Sequence, residues 1–293
     1  MEAPGASNPY VRTLLYPAVL LSFLAPVACS GAKQSSEPAV DIRALMRDVC
    51  HEEIQVLQRH DSRLRYQVHR EDRHGTTVRD QIESHDGGVA RLLQHNGQTL
   101  TVEENAGEQQ RLKALLGTNK LQQREREEAH NRTYGTELLE VMPDAMQFAA
   151  APEQTPVPDV PDRQIVVNFD PNPAFHPANM AQQILPALHG RAWIDLNDHR
   201  LLRMELRNSS DVNLAWGLLA KVYAGGSILY EQRRVQDIST FTHIVMHLRV
   251  RELMLKTVQM DTDTRATDFQ RLASSPSGDD AIRMLLSETV PTR

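Results

Sequence analysis

The chain has 293 residues and a formal net charge of −6 with the two signs interspersed, which argues against a nucleic-acid partner wanting a clustered basic face. Aromatic residues are 5% of it, too few for base-stacking platforms. Its 40% hydrophobic and 24% charged residues describe a globular chain, long enough to bury one sizeable core or two small ones.

Arg12 precedes an apolar run from Leu14 to Ala28. As a helix the run would reach roughly 22 Å, short of the ~30 Å hydrocarbon core, so a signal peptide is expected over residues 1–28. Ala28-Cys29-Ser30 resembles the end of a bacterial lipoprotein signal, which makes Cys29 a lipidation candidate; ordinary cleavage near Ala28 or Ala32 is the alternative. Acyl chains on Cys29 would anchor the protein to a membrane without a spanning helix. The other cysteine, Cys50, lies on an apolar helix face and reads as a small buried hydrophobe.

Residues 29–39 form a polar linker. Asp41 caps a helix whose Ile42, Leu45, Met46, Val49, Cys50, Val56 and Leu57 share about half the circumference, a core-facing stripe. Leu64, Tyr66 and Val68 alternate with polar residues as a half-buried strand, and Thr77 to Ser84 and Val89 to His95 read as two more. Asn96-Gly97 is a hairpin turn. Thr101 and Glu104 form a capping box, and Gly117 ends the helix that follows. Residues 119–131 are a charged helical stretch with almost no apolar face, read as a solvated helix or as a surface for an envelope protein partner. The stretch 151–162 holds four prolines and three acids, a long loop within one sheet rather than a boundary between domains. Ile165 to Phe169 is a strand and Ala178 to Leu188 a short helix. From His189 to Met260, five or six short runs alternate apolar and polar residues, the pattern of an antiparallel meander with one face buried. A short helix is expected over Ala281 to Leu286.

The search for chemistry is largely negative. His243 and His247 are spaced for two ligands on a helix, but on a strand they stand about 13 Å apart, too far to share a metal. Cys50, His51, Glu52 and Glu53 have metal-like composition but point apart on a helix. No nucleophile elbow, phosphate-binding glycine loop or zinc-spaced cysteine pair occurs. The reading is therefore of a protein that is not an enzyme and uses no cofactor and no metal. The apolar alternation leaves Trp193, Leu202, Met204, Leu206, Ile244 and Met246 either as plain core or as the lining of an apolar pocket; Leu202, Met204 and Leu206 are expected to share one face.

Several blocks resemble a group of exported bacterial proteins similar to the outer-membrane lipoprotein-sorting carriers of the LolA/LolB-like family. They are Val89 to Leu93 with Asn96-Gly97 and Thr101-x-x-Glu104; Phe169 to Phe175 with Pro177; Gly190 to Asp195; and Gly217 to Ala220 through Tyr230-Glu231-Gln232. The resemblance implies an α+β, mainly β fold, a large curved antiparallel sheet forming an unclosed half-barrel with helices packed in its concave mouth. It also implies that the interior binds lipid or lipoprotein acyl chains. The expected organisation is a signal peptide (1–28), a linker (29–39), one LolA/LolB-like domain (40–272) and a tail (273–293). The expected location is the periplasm or the outer membrane. The alternative is an envelope structural or sensor protein acting through protein–protein contacts without a ligand pocket.

Overall fold

The structure, a computed structural model, describes residues 40–59, 63–158, 160, 163–214, 220–252 and 255–293. The signal-peptide and linker segments, with Cys29, lie outside them, as does part of the Gly217 block.

Helix α1 (Ile42–Gln58) opens the described chain, its first turn capped by Asp41, whose carboxylate accepts from the backbone N–H of Arg43 and Ala44. Strands β1 (Leu64–Asp72), β2 (Gly75–Ile82) and β3 (Val89–His95) follow as antiparallel neighbours. Asn96 and Gly97, both at positive φ (51° and 72°), turn the chain into the two-residue β4 (Gln98–Thr99). Thr101 starts α2 (Val102–Lys113) with the expected reciprocal box: its hydroxyl accepts from Glu104 N at 3.1 Å and its own N–H donates to Glu104 at 2.7 Å.

The charged stretch and the apolar residues after it turn out to be a single helix, α3 (Lys120–Ala145), which carries Pro143 in its last turn. It leads into β5 (Met146–Ala150), which pairs with β6 (Gln164–Pro171). The proline-rich segment between these strands is therefore a loop inside the sheet. A 3-10 turn (Ala181–Ala187) replaces the expected short helix, and Pro186 lies within it.

The meander comprises β7 (Leu188–Asp195), β8 (Arg200–Asn208), β11 (Ser227–Val235), β12 (Ile238–Glu252) and β13 (Lys256–Arg271), with two three-residue strands, β9 (Val212–Leu214) and β10 (Ala220–Val222), branching off β12. One detail departs from the sequence reading. β12 and β13 are long strands of 15 and 16 residues, continuing well past the alternating apolar runs because each satisfies the other's backbone along a shared hairpin.

All pairings are antiparallel, in the order β4-β3-β2-β1-β13-β12-β11-β8-β7-β6-β5, and among the described residues the end strands β4 and β5 do not pair with one another. The result is a mainly β, unclosed sheet. Its concave face holds the main core. Leu45, Met46, Val49 and Cys50 of α1 and Leu138 and Met142 of α3 pack with Val167, Phe169, Ala192, Met204 and Leu206 from the strands. Gly190 lets the Phe169 ring lie across the sheet: a Cβ there would stand 2.6 Å from Phe169 Cζ and 2.3 Å from the Glu205 carbonyl oxygen. A second core joins Ile82, Val89, Leu112 and Leu121 to Ala281, Ile282 and Leu285 of the last helix, α4 (Gly278–Ser287). The tail thus folds onto the same sheet.

Candidate functional site

Between the concave face and the two helices lies a cavity of about 500 Å³. That is within the usual ~300–1,000 Å³ of small-molecule sites. α1 presents Met46, Val49, Cys50, Glu53, Val56 and Leu57 to it, positions three and four apart on one face. Met204, Tyr230 and Ile244 stand side by side across β8, β11 and β12 as the sheet wall, since Tyr230 is in register with both of the others. α3 supplies Glu125, Glu128, Arg132, Leu138 and Met142, and the β2–β3 connection supplies Glu83, Ser84, His85, Gly87 and Gly88. One part of the lining is therefore aliphatic, and the part where α3 meets the β2–β3 connection is polar.

Of the six pocket residues read from the sequence, Met204 and Ile244 line this cavity. Leu206 is buried in the main core, and Met246 packs against it. Trp193 and Leu202 are not lining residues. They belong to a separate cluster with Ala151, Val157 and Val166. The expected common face of Leu202, Met204 and Leu206 is broken by a bulge: Trp193 pairs with Arg203 but Ile194 pairs with Leu201, so Leu202 is the extra residue and both Leu201 and Met204 keep the concave side. What buries Trp193 is the proline-rich loop, whose Thr155 carbonyl accepts from the indole N–H at 2.9 Å. Gln164 ties the loop down by bonding the backbone of Val157 and Val160. Apolar residues thus occur on both faces of this part of the sheet, and alternation alone does not say which side is the pocket.

The cavity contains titratable groups that the sequence did not single out as a set. Glu53 accepts from Gln232 Nε2 at 2.7 Å and from the Leu201 N–H at 3.4 Å, so this carboxylate ties α1 to β8 and β11. Burial nevertheless pushes Glu53 up to about 7. Glu83 accepts from the Tyr66 hydroxyl at 2.9 Å, which in turn accepts from Gln81 at 2.9 Å. Burial pushes Glu83 to about 7 as well, and the charge of Glu128 adds to the effect. Glu128 is raised by burial and by Glu125. Cys50 is pushed up to about 12, first by burial and then by Glu53, so its thiol stays protonated. Cys50 and Glu53, read earlier as parts of a non-functional Cys-His-Glu-Glu run, are the two members of it that face the cavity.

The two histidines with metal-like spacing are on β12 as expected, each with an acid of β13: His243 Nε2 lies 3.1 Å from Asp263 and His247 Nδ1 lies 3.1 Å from Asp261. Among the described residues no group of three His, Cys, Asp or Glu side chains is arranged to hold a metal ion.

No protein-family model matches the chain, and no curated protein matches it. Among solved structures it is similar to the crystal structure of a DUF1329 family protein from Desulfovibrio piger, at 10% sequence identity and a TM-score of 0.30, over 79% of this chain and 94% of that one. A similarity at that level carries no argument about function.

Proposed function

We propose that this is an exported cell-envelope protein that holds a lipid or lipoprotein acyl chain in the apolar part of its cavity. The observation that supports this most is the cavity itself, about 500 Å³ walled by Met46, Val49, Leu57, Leu138, Met204 and Ile244 between a curved sheet and two helices. Aliphatic walls with a few convergent polar groups are the usual make-up of a site for a largely apolar ligand. The export reading rests on the Leu14–Ala28 run and Cys29. Two measurements test the proposal. Protein purified from a membrane fraction is weighed intact, which reports processing and acylation, and then extracted with organic solvent for bound lipid. An uncharged naphthylamine probe is titrated into delipidated protein, with fluorescence enhancement and displacement by lipid expected. Absence of both extracted lipid and probe binding would sink the carrier reading.

A further inference from the structure

The cavity lining carries four carboxylates, Glu53, Glu83, Glu125 and Glu128, against two guanidiniums, Arg59 and Arg132. Arg132 is already bridged to Glu125, and Arg59 is exposed. Among the described residues no arginine or lysine bridges Glu83 or Glu128. The Tyr66 hydroxyl donates to Oε1 of Glu83, and among the described residues no hydrogen bond is made to its Oε2.

We propose that the occupant of this cavity is a single-chain amphiphile whose head is a protonated amine, received by Glu83 and Glu128 at the polar end while the chain lies along Met46, Met204 and Ile244. The inference rests on the acyl-chain reading above and names the head group that this site selects.

The argument is charge complementarity inside a formed cavity. A carboxylate buried without a counter-charge is costly, and the protein otherwise meets that cost by keeping a proton on it. Glu83 and Glu128 line the same end of the cavity, and burial, with the charge of Glu128, pushes Glu83 up to about 7. An ammonium donates up to three hydrogen bonds and would satisfy the open Glu83 oxygen and Glu128 together. A fatty carboxylate would instead bring a further negative charge to groups already repelling one another. The other charged groups at this end do not reverse the preference: His85 is exposed and lies 3.7 Å from Asp86, while Arg124 and Arg132 act on Glu128 from the same helix that carries Glu125 and Glu127.

The test compares three ligands of one chain length on the full delipidated protein: dodecylamine, dodecanol and dodecanoate, each titrated calorimetrically below its micelle concentration at pH 8. Dodecylamine is expected to bind at least tenfold more tightly than dodecanoate, with dodecanol between them. In Glu83→Gln/Glu128→Gln the span between amine and carboxylate is expected to collapse to within about threefold. Dodecanoate binding as tightly as dodecylamine in the wild type overturns the head-group inference and leaves the acyl-chain reading standing. No binding of any of the three overturns the acyl-chain reading itself. Should the double variant fail to fold, the wild-type order decides by itself; should it fold and keep the full preference, Glu83 and Glu128 are not the receiving groups.

Discussion

Glu53 and Glu83 set the sign of the pH dependence at the residue scale. Both hold their protons more tightly in the folded chain than in the unfolded one, moving from an ordinary 4.5 to about 7 because burial disfavours the charged form. Folding therefore takes up protons between those values. Their contribution to stability is complete below about 4.5 and is lost as pH rises through about 7. Other carboxylates act in the opposite direction. Arg65 holds Glu288 below its ordinary value and Lys221 does the same for Asp211 through side-chain hydrogen bonds, so these contributions are lost on acidification. The melting temperature is accordingly expected to peak near about pH 5 and to fall by roughly 5 °C towards pH 8. Differential scanning calorimetry of wild type and Glu53→Gln/Glu83→Gln checks this: the variant's profile should fall much less steeply from pH 5.5 to 8, Glu128 keeping a residual slope of the same sign. An equal slope in both would place the titrating groups elsewhere.

At the scale of elements, the hold on α4 rests on Arg91. This guanidinium is 1% exposed. It donates to the carbonyls of Leu285 at 2.5 Å and Glu288 at 3.0 Å, and to Asn105 of α2 at 3.0 Å. Those carbonyls are among the last of α4 and have no partner within the helix. Gly278 N–H bonds Asp86 at 2.9 Å at the other end. Arg91→Leu is expected to cost about 2–4 kcal/mol and to free α4 before the rest of the sheet. Limited proteolysis should cut first between residues 272 and 278, and a variant as resistant there as wild type would assign the docking to the apolar contacts alone. How much of this was legible varies with the physics. Local signals were readable: Asp41 and Thr101 cap helices because their side chains reach N–H groups two and three residues away, and alternation located the strands. Arg91 reads as a polar residue on an alternating strand, since its partners lie 14 to 197 residues away. The same distance problem hid the site. Glu53, Glu83 and Glu128 come from three elements, and no spacing rule joins them. α3 gave no apolar period over residues 119–131 because, beyond Leu121 in the second core, the face it turns to the cavity there carries Glu125 and Glu128, part of a polar wall. The bulge at Leu202 moved one residue to the other face without altering the composition that alternation reads.

On the scale of the whole molecule, the sheet ends in the short strands β4 and β5, of two and five residues, which limits the exposed edge an open sheet offers to another chain. Its open side is closed by α1 and α3 packed on one another. A ligand then has two routes: α1 lifts away, or the chain threads through the polar end beside Arg59, His85 and Gly88, which are exposed lining residues. The packing favours the second. Leu45, Met46, Val49 and Cys50 are each no more than 4% exposed, and burying four such side chains is worth several kcal/mol that lifting α1 would forfeit. Glu53 adds its hydrogen bonds to Gln232 and Leu201. Cys50 reports which route is used, because its thiol is buried under α1 and held protonated up to about 12. Labelling by a thiol reagent at pH 8 should follow the global unfolding equilibrium, measured in parallel across a urea series, and converge with it at low urea. Labelling that levels off well above the global unfolding population in the absence of urea would mean that α1 opens on its own. Suppression of that excess by an alkyl ligand would then make α1 the gate and the polar end only a seat for the head group.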